Sequence, residues 1–133
     1  MRTEPRWLTE TTQLAIHAQQ VERFGGAHGV RDQHGVLSAL ARPQQRWHDD
    51  ESADLADVAA AYLMGFARSQ GFIDGNKRTG LACALVFLAR NDAELHVDGA
   101  LLYAITMKVA TNRAGDTEVA SYFRLHVPPA PRE

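Results

Sequence analysis

The chain has 133 residues, 45% of them hydrophobic and 23% charged, with a formal net charge of −2. That size supports one domain with one core, and the charge balance argues against a global basic field, so no direct DNA binding is expected. The single cysteine, Cys83, gives no disulfide framework and fits a reducing, cytoplasmic setting, while the N-terminus lacks a leader-like apolar stretch and no run approaches the roughly 18 apolar residues of a membrane span.

The pattern is helical nearly throughout. Thr9 is placed to cap a first helix with Glu10 in its first turn, and Leu14, Ala18, Val21 and Phe24 recur as its inward stripe. Gly25-Gly26 ends it. A second, shorter helix is predicted from about Asp32 to Arg42, with Val36, Leu37 and Leu40 inward and Pro43 as its stop. Residues 43–53, including Arg46 and Trp47, read as an exposed loop. A third helix over roughly 54–69 carries the stripe Leu55, Ala59, Tyr62 and Phe66, and its alanines permit close packing.

The fourth helix, about 76–90, is apolar on almost every side from Leu81 to Leu88, which places it at the centre of a bundle. Asn91-Asp92 turns the chain, and Glu94–Val97 suits a short extended piece. A fifth helix, about 98–111, points Leu102, Ile105 and Val109 inward; Asp116 suits the cap of a sixth, with Val119, Tyr122 and Phe123 buried. The expected fold is all-α: one compact domain over residues 1–126, about six helices around a buried central helix, with a disordered tail at 127–133.

Residues 70–80, Gln-Gly-Phe-Ile-Asp-Gly-Asn-Lys-Arg-Thr-Gly, carry most of the functional information. A carboxylate, a glycine turn, an amide and two cations stand at a predicted helix N-terminus, where free N–H groups and the helix dipole favour an anion. Lys77 and Arg78 oppose that dipole by roughly 0.3–1 kcal/mol each, a poor structural choice unless an anion binds. Asp74 beside a phosphate site makes sense if it holds Mg²⁺, which commonly takes one or two carboxylates plus phosphate oxygens; a turn or cap role is the alternative. Thr79 suits either a phosphate contact or a solvent-facing position. His17 reads as a hydrogen-bonded core histidine, Arg31-Asp32 as a local ion pair, and His28, His34 and His48 stand at no metal-ligand spacing. Neither a Walker A pattern, a serine-nucleophile elbow nor a CxxC is present.

The string Phe72-Ile73-Asp74-Gly75-Asn76-Lys77-Arg78-Thr79 resembles the core motif of the Fic/Doc superfamily, and more narrowly the death-on-curing (Doc) toxins of toxin–antitoxin modules. The likeness extends through Trp7-Leu8-Thr9-Glu10, Phe24-Gly25-Gly26, Gly29-Val30-Arg31-Asp32, Ser38 to Gln44 and Phe87 to Asn91, covering about residues 7–125. It implies an all-α fold and phosphoryl transfer from ATP to a protein hydroxyl, with a threonine of elongation factor Tu as substrate and arrested translation as outcome. General Fic proteins, which transfer AMP, have glycine at the place of Lys77 and a second arginine at the place of Leu81; the Doc type carries the lysine and lacks that arginine. The resemblance assigns Mg²⁺ to Asp74, phosphates and transition-state charge to Gly75, Asn76, Lys77, Arg78 and Thr79, and a core anchor to Phe72. It also implies restraint by a Phd-like antitoxin with a disordered C-terminal segment, since no glutamate here has Ser or Thr four residues before it, as self-inhibiting Fic helices do.

Gln70 departs from this pattern. The family motif has its general-base histidine there, and glutamine cannot accept the hydroxyl proton near neutral pH. Losing a positioned base costs about 10²–10⁴ in rate. The chain therefore reads as a disabled toxin, because every other motif position is kept; AMP transfer, or a catalytically dead homologue that binds nucleotide or antitoxin, are the other readings.

Overall fold

The computed structural model describes residues 2–127; the expected tail, Val127 excepted, lies outside the described residues. Six helices follow in order: α1 Glu10–Phe24, α2 Gln33–Asp49, α3 Leu55–Arg68, α4 Asn76–Arg90, α5 Gly99–Ala110 and α6 Asp116–His126. Among the described residues there is no strand, only an isolated antiparallel bridge between Val30 and Phe72, and residues 94–97 form no regular element. No helix among them is long and apolar enough to cross a membrane.

The centre is α3, not α4. Every α3 residue from Val58 to Ala67 is buried, and the helix packs against α2, α4, α5 and α6. Its alanines and Gly65 are individually weak hydrophobes, but their small size lets neighbours close in on all sides. The bulkier α4 keeps Leu81, Ala82, Leu85 and Val86 only half-covered. Gly80 of α4 lies directly on α3: a Cβ there would stand 3.0 Å from Ala67 N and Leu63 O. An Asp54/Asp57 capping box starts α3. Arg124 of α6 pairs with both carboxylates, at 2.8 Å and 3.1 Å. Burial alone would raise the Asp54 carboxyl, but the Arg124 guanidinium and the Asp57 N–H hold it down at about 2.

Three helices differ from expectation. In α1 the buried residues are Gln13, Ile16, His17 and Val21, while Leu14 and Phe24 are exposed. The inward face is the one that brings His17 onto Phe72, ring centroids 3.7 Å apart. In α2, Pro43 sits inside the helix, which runs on to Asp49. The missing bond to Ala39 O is offset by tertiary anchoring: Trp47 is buried, the Arg2 guanidinium stacks 3.7 Å over its ring, and Arg2 bonds the Trp47, Asp50 and Ala53 carbonyls. Leu37, expected inward, is exposed. Gly115 rather than Asp116 caps α6; Asp116 opens the helix and pairs with Arg42 at 3.3 Å.

Candidate functional site

The loop between α3 and α4 is fixed from three directions. From below, Phe72 is fully buried, stacked between His17 and Phe66. From the side, segment 29–32 runs along it: Arg31 N–H and Asp32 N–H donate to Gly71 O at 2.8 Å and 3.0 Å, and Ile73 N–H donates to Gly29 O at 3.1 Å. From within, Asn76 Oδ1 accepts from Phe72 N–H and Asn76 Nδ2 donates to Phe72 O, both at 3.0 Å. Gly75, at φ 82°, makes the left-handed turn into α4, a conformation glycine adopts without steric cost. His17 donates from Nε2 to Asp74 O at 2.7 Å; a carbonyl can only accept, so Nε2 carries the proton. His17 is thus a hydrogen-bonded buried histidine that holds the loop.

These supports build an open cleft of about 600 Å³. Gln70, Asp74, Gly75, Asn76, Lys77 and Arg78 line one side, Arg31 and the Phe24–Gly26 turn another, and Tyr103, Thr106 and Met107 of α5 close it with Leu81. Lys77 and Arg78 are exposed. The Arg78 guanidinium lies 4.9 Å from the Phe24 ring centre and 3.5 Å from Phe24 O. The first-turn N–H groups of α4 have no intrahelical acceptor. Asp74 Oδ2 accepts from Ala27 N–H at 2.7 Å. A Cβ at Gly26, itself at φ +107°, would come within 3.0 Å of Asp74 Cβ.

Two expected phosphate contacts stand differently. Thr79 is fully buried, and its hydroxyl has no partner among the described residues; it is not part of the cleft lining. Asn76 lines the cleft, but its amide is committed to the Phe72 backbone. Cys83 is no nucleophile, as burial pushes its thiol to about 12.

The sequence missed Arg31, read as pairing with Asp32. Its guanidinium instead donates to Gln70 Oε1 at 3.2 Å and to Ile73 O at 3.4 Å. It also missed the α5 wall, which no local spacing signals. Among the described residues no three His, Cys, Asp or Glu side chains cluster to hold a metal. A cation here would rest on Asp74 and on oxygens of its ligand, the arrangement Mg²⁺ takes with phosphates. Cations, free helix amides and one carboxylate fit a metal-bound polyphosphate.

The family model "Fic/DOC family" matches residues 7–88, from just before α1 through most of α4. The chain belongs to the Fic/DOC family. It is 36% identical over 111 residues to "Protein kinase doc" of Escherichia phage P1, covering 84% of this chain and 87% of that protein. It is also 46% identical over 77 residues to "Toxin Doc" of Mycolicibacterium smegmatis, covering 56% of this chain and 58% of that one. The Fic/DOC match contains the whole loop and both segments that pin it, Thr9–Phe24 and Gly29–Asp32.

Proposed function

We propose that this protein is a Doc-type toxin whose cleft binds ATP with Mg²⁺, and whose chemistry is phosphoryl transfer to a hydroxyl of a translation protein, elongation factor Tu being the expected target. The carrying observation is the convergence of Lys77, Arg78, Arg31 and the α4 N-terminus on one cleft beside Asp74. The names of the two relatives, a protein kinase and a toxin, support the same reading, and toxins of this kind are paired with an antitoxin.

In the transfer, the target hydroxyl oxygen bonds to the γ-phosphorus, the bond to the β-phosphate oxygen breaks, and ADP leaves. Lys77, Arg78 and the helix amides hold the phosphates and stabilise charge as it shifts to the leaving oxygen. Asp74 would hold Mg²⁺, which when bound neutralises phosphate oxygens. His17, Asn76 and Phe72 keep the loop in shape. The hydroxyl proton needs an acceptor, and Gln70 is not one. The chain as it stands is therefore attenuated, with nucleotide binding retained. A nucleotide- or antitoxin-binding homologue is a second reading, favoured by the Gln70 amide oxygen being already engaged by Arg31.

The test is the intact mass of elongation factor Tu after incubation with ATP, Mg²⁺ and the Gln70→His variant. Addition of phosphate supports the kinase reading. Addition of AMP refutes it in favour of nucleotidylyl transfer. No addition with ATP bound refutes it in favour of the binding homologue.

A further inference from the structure

Arg31 and Gln70 form a hydrogen-bonded pair in the cleft, and the Gln70 amide has no part in the transfer itself. The backbone bonds between 29–32 and 71–73 set the Arg31 Cα beside the loop, and its side chain then spans Gln70 Oε1 and Ile73 O. A guanidinium has five N–H donors and no acceptor. The contact therefore fixes the sense of the Gln70 amide: Oε1 faces Arg31, because the flipped amide would set donor against donor. The end left over is Nε2, which carries two N–H groups and has no partner among the described residues. Both residues line the same cleft as Lys77 and Arg78.

We infer that Gln70 serves in this chain as a hydrogen-bond donor to a phosphate oxygen of the bound nucleotide, with Arg31 as the residue that positions it. This rests on the nucleotide reading of the cleft. Glutamine at position 70 then does more than remove a base. It replaces a group able to accept from a hydroxyl with one that donates to an anion, so the cleft is biased toward holding nucleotide. The donors that surround the anion are then Gln70, Lys77, Arg78 and the α4 amides, with Arg31 holding Gln70 and Asp74 the one carboxylate among the lining residues.

The experiment is calorimetric titration of the full chain with ATP and Mg²⁺, comparing Gln70 with Gln70→Met and Gln70→Glu, each with Arg31 and with Arg31→Met. Both positions are exposed, so folding is expected to survive. Gln70→Met should weaken ATP about ten- to hundredfold, the range of one hydrogen bond to a charged acceptor. Gln70→Glu should weaken it more, by presenting an acceptor and a negative charge. The Gln70→Met penalty should shrink once Arg31 no longer holds the amide. In spectra of the ¹⁵N-labelled protein the Gln70 side-chain amide resonances should shift on adding ATP. Equal affinity for Gln70 and Gln70→Met, with those resonances unmoved, overturns this inference while leaving nucleotide binding in place. A penalty unchanged by Arg31→Met overturns the positioning role. No ATP binding by any variant overturns both this inference and the nucleotide reading.

Discussion

Replacing Asn76 with alanine separates a loop clamp from a phosphate ligand. The side chain makes two 3.0 Å hydrogen bonds, one from Phe72 N–H and one to Phe72 O. Phe72 is fully buried, so neither backbone group finds ready compensation when the amide is gone. Each unpaired buried group costs about 1–3 kcal/mol. Because Asn76 itself is only half-buried, water relieves part of this, and the expected loss is roughly 2–4 kcal/mol. For a chain of this length that lowers the melting temperature by roughly 7–14 °C. Asn76→Asp should be similarly destabilising: Oδ1 still accepts from Phe72 N–H, but the second oxygen faces Phe72 O without a proton between them. Thermal unfolding followed by circular dichroism or calorimetry makes the measurement, with ATP affinity recorded alongside. An Asn76→Ala variant with unchanged melting temperature and abolished ATP binding would refute the reasoning, because it would make the amide a ligand contact rather than a clamp.

Thr79→Val should leave ATP affinity unchanged and stability equal or slightly higher, since the buried hydroxyl has no partner; isothermal titration and urea unfolding check both. Gly80→Ala should destabilise by about 1–3 kcal/mol despite alanine's better helix propensity, because the new methyl meets α3 backbone at 3.0 Å; a urea midpoint at or above the parent's would contradict this packing. The Asp54 carboxyl is held at about 2 in the folded protein, below its unfolded value. Its contribution, roughly 1 kcal/mol after allowing for exposure, is therefore present above about pH 4 and lost as pH falls from there toward 2. Melting temperatures across that window should fall less steeply for Asp54→Asn than for the parent.

Helix number and order were legible because apolar periodicity and breakers such as Gly25-Gly26 and Asn91-Asp92 are local signals. What sequence reasoning missed depends on distant contacts. Pro43 reads as a stop until Arg2 and Trp47 are seen to anchor the turns beyond it. The alanine-rich α3 looks less central than α4 because hydropathy counts side-chain size, whereas position in a bundle depends on how closely neighbours approach. The inward face of α1 was misjudged at Leu14, Phe24 and Gln13, because a buried polar residue such as Gln13 gives no apolar signal, whereas His17 was read correctly as a hydrogen-bonded core histidine. The motif loop itself was readable, since Lys77 and Arg78 break a local electrostatic rule at a helix start. Arg31 was not, because its partners lie 39 and 42 residues away in the chain.

The cleft proposed here would hold a nucleotide but lack a proton acceptor. The most direct test of this is a single-turnover comparison of the chain as it stands with Gln70→His, both saturated with γ-labelled ATP and Mg²⁺ and offered elongation factor Tu. Transfer should be about 10²–10⁴ faster in Gln70→His, with ATP bound by both proteins. Equal rates of transfer by the two would contradict it.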